Sequence, residues 1–80
     1  MDIGYAVKLR ILELCDQHHI TVNKLSTISG ITQSTLNNIV NGRNNSTTIS
    51  TIKKICDGLG ISIVAFFSSP LFESLEQEIK

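Results

Sequence analysis

Eighty residues, 41% hydrophobic and 18% charged, with five Gly, one Pro and no Trp, exclude a second domain, a disordered chain and a Gly- or Pro-periodic fibre. Seven basic and seven acidic side chains cancel to a formal net charge of zero, an average that by itself argues against a polyanionic partner. The aromatic residues are Tyr5, Phe66, Phe67 and Phe72, so the core has to be built mainly from aliphatic side chains.

Val7, Ile11, Leu14, Cys15 and His18 recur at helical spacing and predict an amphipathic first helix over residues 4–18. Tyr5, Leu9 and Leu12 form a second apolar stripe on another face, so this helix is expected to touch two things. Thr21 is placed to cap a short second helix carrying Val22, Leu25 and Ile28, which Gly30 ends. Thr32 repeats the cap before a third helix over 33–41, with Leu36, Ile39 and Val40 turned inward and Gly42 after it. Its remaining side chains, Gln33, Ser34, Thr35, Asn37, Asn38 and Asn41, make an outer face of amides and hydroxyls without charge.

Residues 43–48 have no periodicity and read as a loop. The stripe resumes with Ile49, Ile52, Ile55, Cys56 and Leu59, behind a cap at Thr48 and before a stop at Gly60. Ser62 caps a short fifth helix over 63–69, although 61–67 is also the one stretch where a strand competes. Pro70 then restarts the chain as a terminal helix over 70–80. Leu71, Phe72, Leu75 and Ile79 lie on it at one-turn and two-turn spacings. This extension, part of the same domain as residues 1–69, is expected to build a dimer contact or to dock on the Tyr5, Leu9, Leu12 stripe.

The charges are unevenly spread. Every acid lies at or before Asp16 or at or after Asp57, whereas the segment between holds Lys24, Arg43, Lys53 and Lys54. That segment is also crowded with Thr, Ser, Asn and Gln, which supply the neutral donors and acceptors that phosphate oxygens and base edges require.

The longest apolar run, 60–67, falls far short of the roughly 20 residues of a membrane helix. The opening Met1-Asp2-Ile3-Gly4 lacks the basic and apolar regions of a signal peptide, so a cytoplasmic protein without a membrane partner is expected. Cys15 and Cys56 read as small buried hydrophobes, with a disulfide disfavoured by that compartment. A zinc set of Cys15, His18, His19 and Cys56 lacks a second close ligand pair, and neither metal nor cofactor is expected. The His18-His19 imidazoles are expected to cap the carbonyls ending the first helix.

A short helix, a three-residue turn containing Gly, and a polar helix ending in Asn-Gly resemble a helix-turn-helix. The chain is similar to the phage repressor and Cro (Xre) family from about Val7 to Phe67. The resemblance is carried by Thr21-Val22-Asn23-Lys24-Leu25, Gly30-Ile31-Thr32-Gln33-Ser34-Thr35-Leu36, Asn41-Gly42-Arg43, and Leu59-Gly60-Ile61-Ser62 leading into Phe66-Phe67. It implies an all-α, five-helix lambda-repressor-like domain, here with an additional short C-terminal helix. It further implies base contacts from Gln33, Ser34, Thr35 and Asn38, and phosphate contacts from Thr21, Asn23, Asn37, Asn41, Arg43 and Asn44. Gln33 and Asn38 suit this role chemically, because a carboxamide pairs bidentately with adenine.

Three departures stand out. Where relatives pair an Arg late in the first helix with a Glu before Asn-Gly, this chain has Cys15 and Val40, which are expected to meet in the core. Losing both partners together avoids leaving one buried charge alone. Val22 replaces a Gln that contacts phosphate in relatives, and the 43–48 loop is about one residue longer than usual and lacks the common Pro.

The leading expectation is therefore a sequence-specific regulator, a repressor, binding a palindromic operator in double-stranded DNA as a homodimer. An antitoxin that also binds a toxin, or a helix-turn-helix turned protein-interaction module, are the alternatives. An enzyme is not expected, since no close acid pair and no nucleophile beside a base is recognisable.

Overall fold

The computed structural model describes residues 1–42 and 46–79. Among these, α1 (Ile3–Gln17), α2 (Val22–Ser29), α3 (Gln33–Val40), α4 (Ile49–Leu59) and α5 (Ile63–Phe67) are followed by a 3-10 turn, Pro70–Phe72. No strand occurs among the described residues, and the contested stretch at 61–67 contains α5. Four predicted caps form: Thr21, Thr32, Thr48 and Ser62 each accept the backbone N–H three residues on. Each such bond satisfies a donor that the helix itself leaves open and contributes about 1 kcal/mol. Asp2 does the same for α1, accepting the Tyr5 N–H at 2.7 Å.

Three of the helix junctions are built alike. After α1, His19 takes a left-handed conformation (φ 56°); its N–H reaches Asp16 O, and the Ile20 N–H reaches Cys15 O at 3.0 Å. After α2, Gly30 (φ 67°) and Ile31 repeat this, with Ile31 N–H on Ser26 O at 3.1 Å; after α4, Gly60 (φ 71°) and Ile61 repeat it with Cys56 O at 3.0 Å. Each isoleucine packs against the core, and the next residue is the Thr or Ser that caps the following helix. A left-handed residue, an isoleucine anchor and a capping hydroxyl thus turn the chain in three residues, satisfying the carbonyls of one helix and the donors of the next. The closure of α1 expected of the His18 and His19 imidazoles is made by their backbone N–H groups instead, and both side chains are exposed.

The core joins Val7, Ile11, Leu14 and Cys15 of α1 to Leu25 of α2, Leu36 and Ile39 of α3, Ile52, Ile55 and Cys56 of α4, and Phe66 of α5. Both cysteines are free and buried, and burial pushes each thiol above its ordinary range, which keeps it neutral and unreactive. The tightest approach is between α2 and α4. A Cβ on Gly58 would lie 2.6 Å from Ser29 Oγ and 2.9 Å from Ile28 O, so only glycine lets α4 come this close to the end of α2.

Arg10, which belongs to neither predicted stripe, is the buried charge of the fold at 7% exposure. Its guanidinium donates from Nε to Phe66 O at 2.6 Å and from Nη2 to Ala65 O at 2.9 Å, and pairs with Glu13 through Nη1. A cation placed on the last carbonyls of α5 satisfies them and complements the negative end of the helix dipole.

Two bounds differ from expectation by more than one residue. Helix α5 ends at Phe67, because Ser69 precedes Pro70 and is held extended (φ −144°, ψ 143°). The helix predicted over 70–80 shrinks to the Pro70–Phe72 turn. Its spacing is helical, but an eleven-residue helix is marginal alone, and Glu76 and Glu78 would place carboxylates in its C-terminal half, toward its negative end. Tertiary bonds win: the Phe72 ring stacks near Phe66 and Phe67 at centroid distances of 6.3 and 4.9 Å, and the Glu76 N–H reaches Met1 O at 3.0 Å.

The turn does pack on α1, with Ser69 Oγ 3.5 Å from Glu13 Oε1. Phe72 packs against the core while Leu71 and Leu75 are half-buried, but Ile79 is 88% exposed. The expected partner stripe is not covered, since Tyr5 and Leu12 remain 48% and 37% exposed.

Four substitutions check these contacts. Gly58→Ala gains about 1 kcal/mol of helix propensity but forces a methyl into backbone; overpacking of about 1–3 kcal/mol wins, and a urea melt is expected to show net destabilisation. His19→Gly relieves a side chain held at positive φ and should stabilise by about 0.5–1 kcal/mol in the same assay. Arg10→Ala removes charged hydrogen bonds and is expected to cost about 1.5–3 kcal/mol, with Glu13→Gln costing less because Glu13 is partly solvated.

Candidate nucleic-acid interface

Helix α3 is eight residues long and divided sharply along its length. Leu36 (0% exposed) and Ile39 (3%) point into the core, with Val40 packed against it, while Gln33, Ser34, Thr35, Asn37 and Asn38 are all exposed. The side chains of Gln33, Ser34, Asn37 and Asn38 make no hydrogen bond to the described residues, so their donors and acceptors are available to a partner. Thr35 differs. Thr32 Oγ1 accepts the Thr35 N–H at 3.2 Å and donates to Thr35 Oγ1 at 2.9 Å; in that arrangement Thr35 has a proton to give and suits an acceptor such as a purine N7 or a phosphate oxygen.

The three-residue joint Gly30, Ile31, Thr32 presents the start of α3 beside α2. Thr21 and Asn23 are exposed at the N-terminal end of α2, where helix N–H groups favour anions. Thr21 Oγ1 accepts the Lys24 N–H at 3.0 Å and keeps its own proton to donate, so an anion there would meet the Thr21 hydroxyl, the Asn23 amide and the remaining backbone donors. Asn41 is the exposed C-cap of α3. Arg43 and Asn44 lie outside the described residues. Cys15 is buried in the core against which Val40 packs, so the two positions that carry charge in relatives are both apolar here.

The positive charge of this region is smaller than the sequence count suggests. Lys53 pairs with Asp57 one turn on, and the hydrogen bond and charge of that carboxylate raise the lysine's pKa; the pair is neutral as a unit. Lys24 and Lys54 are exposed and make no ion pair with the described residues. Lys8, assigned to no surface by the sequence pattern, joins them: its ammonium lies beside Gly42, just past the end of α3. Its stacking on Tyr5 at i−3 is a local signal legible in sequence, but the proximity to Gly42 is tertiary. Among the described residues no group of three or more His, Cys, Asp or Glu side chains could hold a metal ion, and no helix is long and apolar enough to cross a membrane.

Comparison with known proteins agrees with this geometry. The family described as Cro/C1-type HTH DNA-binding domain matches residues 10–64. The crystal structure of the prophage Lp1 protein 11 is similar, with a TM-score of 0.80 and 38% sequence identity over 94% of this chain and 100% of that one. No curated protein matches the chain. With more than half of its length matched and the two-helix unit formed as that family requires, the chain belongs to the Cro/C1-type helix-turn-helix DNA-binding domain family.

Proposed function

We propose that this DNA-binding regulator is a sequence-specific repressor that acts in the cytoplasm as a homodimer on a palindromic operator. The observation that carries the reading is the outer face of α3: five adjacent exposed residues, all amide or hydroxyl, on a helix whose opposite side is buried. In the major groove each base pair shows its own pattern of donors and acceptors, and such side chains match those patterns without charge. Gln33, Ser34, Thr35 and Asn38 take the base-reading role in this proposal. Thr21, Asn23, Asn37, Asn41, Arg43 and Asn44 take the phosphate role.

The dimer follows from affinity. With few free cations per chain, phosphate contacts from one copy supply little binding energy, and a second copy on the adjacent half-site, about 34–36 Å away, doubles them. Apolar side chains left in solvent, Tyr5, Leu12, Val64 and Ile79 among them, offer surface for a second copy to cover, and Leu71, Phe72 and Leu75 join them where that contact involves the C-terminal segment. Similarity to a prophage protein supports a phage or mobile-element setting.

Selection of bound duplexes from a random pool tests binding, symmetry and site together: a two-fold consensus is expected. Against that site, Gln33→Ala and Asn38→Ala should each cost about 1–3 kcal/mol and relax preference at one base position. Equal loss on the selected and on random duplexes would remove these residues from base reading.

A further inference from the structure

Lys8 stands on α1, outside the 10–64 segment matched by the family, yet it is brought to the exit of α3. Its Nζ lies 5.2 Å from the centroid of the Tyr5 ring and so near the turn after α3 that a Cβ on Gly42 would sit 3.8 Å from it. The ion pairs among the described residues are Met1 with Glu76, Arg10 with Glu13 and Lys53 with Asp57. Lys8 therefore carries an uncompensated charge, half-buried and stacked on an aromatic face. Gly42 directly follows Asn41, the exposed cap of α3, and neither α2 nor α3 carries an acid.

We propose that Lys8 is a phosphate-binding residue of the DNA interface, held at the end of α3 by the Tyr5 ring. The inference rests on the DNA-binding reading and deepens it. A lysine free in solvent loses rotamer freedom when it meets a phosphate; the ring already confines this one, through the attraction of a cation for the π face. Its location beside a glycine turn lets the ammonium come near the backbone without a side chain in between. A purely structural role is the competing account. The last turn of α3 has no basic residue, and Lys8 would balance the negative end of that helix from outside.

Salt dependence separates the two. The wild type, Lys8→Gln and Lys8→Arg are titrated against a mixed-sequence duplex by fluorescence anisotropy at several salt concentrations. Loss of one phosphate contact lowers the slope of log affinity on log salt by about 0.9 per protomer. The ratio of wild-type to Lys8→Gln affinity should then shrink roughly 3.5-fold per protomer, about 12-fold for a bound dimer, between about 50 and 200 mM salt. Lys8→Arg should restore the wild-type slope. A Lys8→Gln protein with a lowered melting temperature but the wild-type slope would make the residue structural and overturn the proposal. A wild type that binds duplex DNA at no salt concentration would overturn the DNA-binding reading along with it.

Discussion

The close approach of α2 to α4 at Gly58 governs where α3 stands. An eight-residue helix has no persistence of its own in water, so α3 borrows its position from its neighbours. It hangs on α2 through Gly30, Ile31 and Thr32, and α2 is seated on α4 where the Gly58 backbone meets Ile28 O and Ser29 Oγ. Moving α4 out by the thickness of a methyl group would tilt α2 and carry α3 with it. Since the base reading proposed for α3 needs side chains placed within hydrogen-bond tolerance of base edges, Gly58 bears on that proposal through the seat of α2.

Charge is used sparingly and locally. A chain with zero formal net charge is not drawn to DNA from a distance, and its long-range field gives little steering. What remains is a region without acids in its sequence, a few cations at its edges, and an uncharged face of hydrogen-bonding groups, the one proposed to read bases. Such a surface discriminates against random duplex better than a strongly basic one, because the sequence-independent part of binding is small. Arg10, by contrast, is withdrawn from this economy: its charge closes α5 inside the protein.

What the sequence made legible was local. Thr21, Thr32, Thr48 and Ser62 act within three residues of themselves, and Gly30 and Gly60 within the turn they end, so their roles follow from short-range geometry. Amphipathic spacing identified Leu36 and Ile39 as the inner side of α3 for the same reason. The carbonyl partners of Arg10 lie 55 and 56 residues away, and no spacing rule announces them. The C-terminal segment misled because helical spacing of Leu71, Phe72, Leu75 and Ile79 is a necessary sign of a helix and not a sufficient one; the aromatic contact of Phe72 and the Met1 carbonyl decide that stretch. His19 escaped for a different reason. A left-handed residue after a helix is expected to be Gly, and the joint was invisible where a histidine stands in its place.

The outer side chains of α3 owe nothing to the fold. Gln33, Ser34 and Asn38 make no hydrogen bond to the described residues, while the residues that hold the helix, Thr32, Thr35, Leu36 and Ile39, are a different set. Exchange at the first set therefore leaves folding free energy nearly untouched. On the proposed reading, preference for DNA can change through substitutions that leave stability nearly untouched, so it can diverge faster than the scaffold that presents it.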